Sequence, residues 1–262
     1  MKILAALIFF TRLPFWRIKE VPAEHFKRIV PYWPLTGWLT GGIMVGVLWL
    51  AAQVLPISIA CLLAIVSRLL VTGCLHEDGL ADFFDGFGGG TTRERTLAIM
   101  KDSHIGSYGV IGLIVYFLLL FLLLENLPLK LIGVFVICGD CYSKFCASQI
   151  INYLPYARKE EDSKAKVVYD RMTLQESLTG FVCSLLPIVV FLPIVFWPIM
   201  CFPLLTFIAL CRLMKRRLQG YTGDCCGAVF LLCELSFYLG AAILVYAHIR
   251  YGNPDFLNTY LK

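Results

Sequence analysis

The sequence predicts an all-α polytopic integral membrane protein with about seven transmembrane helices and an amino-terminal interfacial or re-entrant segment. Three observations carry that expectation. Of 262 residues, 59% are hydrophobic and 16% charged, against roughly 25% charge in soluble domains, and mean hydropathy is +0.76. The apolar residues gather into seven runs, 33–55, 57–75, 107–124, 129–151, 177–197, 198–214 and 227–248, each able to cross about 30 Å of hydrocarbon as a helix. The runs are apolar on every side and lack the period-two alternation of a membrane barrel strand. Residues 1–262 therefore form a single membrane-embedded domain.

The chain begins MKILAALIFFTRLPFW. Lys2 and a short apolar core imitate a secretory leader, but a bulky Phe-Thr-Arg-Leu-Pro follows where small cleavage-site residues belong. The segment is expected to be retained at the membrane surface. The first two runs meet at the short turn Leu55-Pro56-Ile57.

Beyond the second run comes His76-Glu77-Asp78-Gly79-Leu80-Ala81-Asp82-Phe83-Phe84-Asp85-Gly86, with four carboxylates in nine residues. If the second run continues as a helix past Leu75, Asp78, Asp82 and Asp85 fall at i, i+4 and i+7, within about 60° of arc. Leu80, Phe83 and Phe84 point the other way, and His76 and Glu77 lie off the stripe. Like charges at this spacing repel, the more so beside lipid. Either the stripe is a solvated helix end or a cation neutralises it. Hard carboxylate oxygens without sulfur select Mg²⁺ or Mn²⁺, and magnesium on a few carboxylates is the usual companion of a diphosphate.

Gly86-Phe87-Gly88-Gly89-Gly90 is expected to end that helix, and Thr91-Thr92-Arg93-Glu94 to open another through a capping box. Exposed amides at such a turn can bind an anion. Met100-Lys101-Asp102-Ser103-His104-Ile105-Gly106 then supplies a cation, a carboxylate and an imidazole. The next two runs meet at Glu125-Asn126-Leu127-Pro128, and the second of them carries Asp140 and Lys144 at i, i+4, the spacing of a neutralising structural pair. Cys138-Gly139-Asp140-Cys141 has no second pair to complete a zinc site. The eleven cysteines sit mostly in apolar runs, where a thiol behaves as a small hydrophobe, and imply no disulfide framework.

Segment 152–176 contributes Tyr156-Ala157-Arg158 with Lys164 and Lys166. Segment 215–226 contributes Lys215-Arg216-Arg217 and Gly220-Tyr221-Thr222-Gly223-Asp224, a tight loop that carries a further carboxylate toward the stripe. Basic residues at such a place otherwise serve as topology signals or lipid contacts. If all seven runs span, segments 1–32, 76–106, 152–176 and 215–226 share one side and hold 17 of the 23 Lys and Arg residues. The positive-inside bias makes that side cytoplasmic. Charge gathered at one interface fits an enzyme better than a transporter, whose ionisable groups cluster near mid-membrane. Asp140, Lys144 and Glu234 within runs keep the transporter reading open.

These motifs resemble those of the cobalamin synthase family. Phe10-Thr11-Arg12-Leu13-Pro14 matches first, then Pro34-Leu35 with Gly37 and Gly41. The His76 to Gly86 stretch fits the family's H-x-D-G-L-A-D-x-x-D-G. Met100-Lys101-Asp102-Ser103 with Ile105-Gly106 and Gly109 follows, then Pro155-Tyr156-Ala157-Arg158, then Gly220 to Asp224 with Gly227-Ala228 and Glu234. Several matches in order are more specific than any one. Phe83-Phe84, Gln219 and Cys225-Cys226 depart from the family's usual residues, and none of these departures removes a carboxylate or a cation.

The resemblance implies a Mg²⁺-dependent transferase in which a ribose hydroxyl of α-ribazole, or its 5′-phosphate, attacks the corrinoid-side phosphorus of adenosylcobinamide-GDP and GMP leaves. It implies catalytic roles for Asp78, Asp82, Asp85, Lys101 and His104. Substrate contacts would come from Arg12, His76, Asp102, Ser103, Arg158, Arg217, Tyr221, Thr222 and Asp224, and metal ligation from Asp78, Asp82, Asp85 and Asp224. The expected partners are these small molecules and membrane lipid, with no nucleic acid and with a homo-oligomer left open. The expected place is the cytoplasmic (inner) membrane. The alternatives are a CDP-alcohol phosphotransferase of lipid synthesis, whose pattern has Arg where Asp82 stands, and a corrinoid transporter.

Overall fold

The computed structural model describes residues 1–158 and 168–251, so Lys164 and Lys166 lie outside the described residues. The described chain is helical, and its single β-bridge joins Tyr156 to Tyr221. Helix α1 (Lys2–Phe10) is followed by three short 3-10 turns. Then come α2 (Trp33–Ala52), α3 (Ile57–Thr72), α4 (Leu75–Gly89), α5 (Arg93–Lys101), α6 (Ser107–Glu125), α7 (Leu129–Ser148), the short α8 (Ile150–Tyr153), α9 (Leu174–Phe191), α10 (Cys201–Arg217) and α11 (Gly223–Arg250). Among the described residues six stretches are long and apolar enough to cross a membrane, and the bent pair α3–α4 makes up to seven. This multi-pass, all-α architecture is the expected one. At 9 residues, α1 rises about 13 Å, too little to span.

Local chemistry sets the boundaries. Pro56, Pro128 and Pro193 precede helical segments, where a fixed φ helps and a missing N–H is no loss. Thr92, Thr173 and Thr222 cap α5, α9 and α11 through their hydroxyls. The capping box stands at Thr173 and Glu176. At α5 the cap is Thr92 bonded to the Arg95 amide, one residue later than the Thr91–Glu94 box expected from sequence.

The second run does not continue straight into the acidic stripe. Gly73 (φ +65°) and Cys74 (φ +58°) are both left-handed, which ends α3, and α4 departs at 92° to it. The i, i+4, i+7 spacing survives because Asp78, Asp82 and Asp85 all lie on α4. That helix also runs through most of the glycines expected to stop it and ends at Gly89, with Gly90 as its C-cap.

Helices α7 and α11 are the most buried of the long helices. They pack on each other, α2 covers α7, and α4 packs on α11 and α6. Ile111, Ile114, Leu118 and Leu122 face outward from α6, an apolar surface suited to lipid. Two buried charged clusters cross the interior. Arg68 donates to both oxygens of Glu234 at 2.6 and 2.5 Å and to Tyr116 at 3.0 Å, while the Tyr238 hydroxyl donates to Glu234 at 2.9 Å. Lys144 lies 2.5 Å from Asp140, and Thr40 bonds both, the structural pair the spacing suggested.

Candidate active site

Two reciprocal glycine contacts bring α4 against α11. A Cβ on Gly79 would stand 2.9 Å from the Asp224 carbonyl oxygen, and one on Gly227 would stand 3.0 Å from the His76 carbonyl oxygen. The absence of both side chains lets the backbones touch, and so Asp78 and Asp224 line one cavity of about 280 Å³. Asp224 lies in the first turn of α11, where a carboxylate is favoured by the helix dipole, and the Thr222 hydroxyl donates to it at 3.3 Å. Arg158 reaches the same wall. Its side chain is 5% exposed, its Nη1 is 4.0 Å from Asp224, its Nη2 donates to the Leu97 carbonyl, and its Nε has no hydrogen-bond partner.

Six of the other lining residues are aromatic. Phe9 and Phe10 come from the end of α1, Trp33 from the start of α2, His76 from α4, and Tyr156 and Tyr169 from loops. Phe10 stacks on Trp33 at 5.0 Å and 7°, and Trp33 on His76 at 5.5 Å and 21°. The sequence reading missed Phe9, Phe10, Trp33 and Tyr169 as site residues. A Trp at the mouth of a span ordinarily reads as a membrane-interface anchor, and only the fold turns Trp33 inward.

The other expected site residues are placed differently. Asp85 accepts the Gly106 amide at 2.7 Å and the Gly109 amide at 2.8 Å, so its carboxylate closes the amino-terminal turn of α6 instead of facing the cavity. Lys101, Asp102, Ser103 and His104 lie on the exposed approach to that turn and do not line the cavity. Asp102 accepts the His104 amide at 3.0 Å and contacts its Nδ1 at 2.7 Å, and these bonds hold its carboxyl below the usual range. Arg217 donates to the carbonyls of Phe87 and Gly90, so carbonyls rather than amides of the glycine turn are engaged there. Arg12 lies against Gly73 at the α3–α4 break. Tyr221 pairs its backbone with residues 155 and 157, and Thr222 is buried as the α11 cap. Asp82 is half-buried one turn beyond Asp78. Glu77, off the stripe, is 4% exposed with neither carboxylate oxygen hydrogen-bonded. Arg93 was not anticipated; it clamps three segments by donating to the carbonyls of Leu218 and Ala157 at 2.8 Å each.

Among the described residues no three His, Cys, Asp or Glu side chains gather as a metal centre. Of the four aspartates expected to ligate metal, Asp78 and Asp224 line the cavity, while Asp85 is bonded to the Gly106 and Gly109 amides. The cavity's own pair, Asp78 and Asp224, still suits magnesium, which usually takes one or two protein carboxylates and completes its shell with water and substrate phosphate.

Fold and site together define a multi-pass α-helical membrane protein that places two carboxylates, a guanidinium and an aromatic wall around one small-molecule cavity. The chain belongs to the cobalamin-5-phosphate synthase family, whose model matches residues 2–242. It is 39% identical over 243 residues to an adenosylcobinamide-GDP ribazoletransferase of Shewanella putrefaciens, covering 90% of this chain and 91% of that one. A Shewanella amazonensis protein of the same name is 38% identical over 252 residues, covering 92% and 94%. No solved structure matches the chain.

Proposed function

We propose that this protein joins adenosylcobinamide-GDP to α-ribazole or its 5′-phosphate, releasing GMP and completing the nucleotide loop of a cobalamin. Family membership along nearly the whole chain carries this reading. The cavity supports it by combining groups for a phosphate, a ribose and a flat base. A ribose hydroxyl of the acceptor forms a bond to the corrinoid-side phosphorus, the bond from that phosphorus to the bridging oxygen breaks, and GMP leaves with the electron pair. The hydroxyl proton passes to the Asp78–Asp224 pair, and Arg158 meets phosphate oxygens with a planar fork of donors. Mg²⁺ is the cofactor of this reading; held by Asp78 and Asp224, with Asp82 one turn away, it would offset the negative charge of the diphosphate.

The active end faces the cytoplasm of an inner membrane in this reading, on the strength of the Lys and Arg bias. Purified protein in nanodiscs, given adenosylcobinamide-GDP, α-ribazole and Mg²⁺, should release GMP and form the cobalamin. Release of CMP from CDP-diacylglycerol, or corrinoid uptake into vesicles without GMP release, would overturn the proposal.

A further inference from the structure

Arg93 stands where a cation is not favoured. It is the first residue of α5, and the positive end of a helix dipole repels a guanidinium. Its ion pair with Glu94 is 3.9 Å long, with the Glu94 side chain 79% exposed, and such a surface pair adds little. What holds Arg93 in place is a pair of carbonyls, since Nε donates to Leu218 and Nη2 to Ala157, each at 2.8 Å.

Those two carbonyls belong to the segments that bring charge to the cavity. The Ala157 carbonyl lies in the peptide plane that leads into Arg158, and Leu218, the C-cap of α10, opens the loop that ends at Asp224. The two segments also bond each other, the Ala157 amide to the Tyr221 carbonyl at 2.8 Å and the Tyr221 amide to the Pro155 carbonyl at 2.9 Å. One turn along α5, the Leu97 carbonyl accepts from Arg158 Nη2 at 3.1 Å. Helix α5 thus grips the Arg158 segment at two points, once by the backbone and once by the guanidinium.

The outcome is a stand-off between opposite charges. Arg158 and Asp224, with side chains 5% and 10% exposed, face each other at 4.0 Å. A guanidinium and a carboxylate left to themselves close to about 2.7–2.9 Å, and burial strengthens the pull. Full contact would occupy each group with the other. The bonds to Ala157 and Leu218 fix the two backbones and oppose that closure.

Resting on the proposed function, we infer that Arg93 is a positioning residue that acts through Arg158. It keeps the Arg158 guanidinium short of contact with Asp224, so that its donors meet the phosphate oxygens of adenosylcobinamide-GDP. Arg93 itself does not line the cavity. Its two diverging donors suit the task, because a lysine would offer one nitrogen for two carbonyls.

The test is a double-mutant cycle on the purified full-length protein, read as equilibrium binding of adenosylcobinamide-GDP with Mg²⁺ and without acceptor, so that no turnover is needed. Arg158→Ala removes charge-assisted bonds to phosphate and should raise the Kd about tenfold or more. Arg93→Ala should raise it about tenfold in the native background. In the Arg158→Ala background the same change should shift the Kd by less than about twofold, because no guanidinium remains to be positioned. Arg93→Lys repeats the cycle with a cation kept at the start of α5, and the same silence is expected. Equal fold-changes in the two backgrounds would overturn the inference, as a purely structural brace would give them. So would native affinity in both Arg93→Ala and Arg93→Lys. A native chain that does not bind adenosylcobinamide-GDP would sink the proposed function itself, a result distinct from binding with additive effects.

Discussion

Replacing Asp85 tests whether that carboxylate anchors the start of α6 or binds metal. Asp85→Ala removes the acceptor of the Gly106 and Gly109 amides, bonded at 2.7 and 2.8 Å with the side chain almost fully buried. A hydrogen bond to a charged group is worth about 1.5–3 kcal/mol, so losing both costs about 3–6 kcal/mol. At about 2 °C per kcal/mol for a chain of this length, the melting midpoint falls by about 6–12 °C. Asp85→Asn keeps one acceptor oxygen and turns an NH₂ donor toward the other amide, so about half the loss is expected. Circular dichroism melts in detergent measure the shift, and proteolysis at residues 102–106 reads release of the loop. If Asp85→Asn melted like the native chain and regained full activity at raised Mg²⁺, the carboxylate would be a metal ligand and the anchoring argument would be refuted.

Other outcomes follow from the same geometry. Asp78→Asn and Asp224→Asn should each lower turnover more than about a hundredfold while melting within a degree or two of the native chain, as steady-state kinetics and melts will show. His104→Gln should fall well short of the roughly hundredfold loss that removing a general base produces, measured between about pH 6 and 8. Asp102, held below the usual carboxylate range by the His104 amide and imidazole, gives stability that is present above its unfolded pKa and lost only as pH falls through the lowered one. Its carboxylate therefore stays ionised through that window, and a ¹³C carboxyl titration should be flat there. Arg68→Met alone, which leaves Glu234 buried without its guanidinium, should cost about 3–5 kcal/mol in unfolding assays, and Arg68→Met with Glu234→Leu should recover most of it.

Much of the architecture was legible because lipid imposes long apolar helices, and six of the seven runs correspond to helices that qualify as spans by themselves. The stripe spacing was legible too, since α4 is a helix whichever way it points. The 92° break was not, because it rests on Cys74 adopting a left-handed backbone beside Gly73, a conformation with no marker in a Cys side chain. Arg158 and Arg217 looked alike as cations near a membrane surface. They differ only in tertiary neighbours, one against Asp224 and the cavity, the other on the carbonyls of Phe87 and Gly90. Asp85 likewise looked like its two stripe companions until its partners 21 and 24 residues away were known.

The crossing of α4 and α11 at Gly79 and Gly227 acts as a mechanical hard stop. Most helix pairs settle at a spacing set by interlocking side chains, which give by a few tenths of an ångström when lipid or temperature changes. Here peptide planes meet, and peptide planes do not yield. The distance between Asp78 and Asp224 is thereby uncoupled from the elasticity of the surrounding bilayer, so a reaction that needs its carboxylates in fixed register can run inside a soft and fluctuating medium.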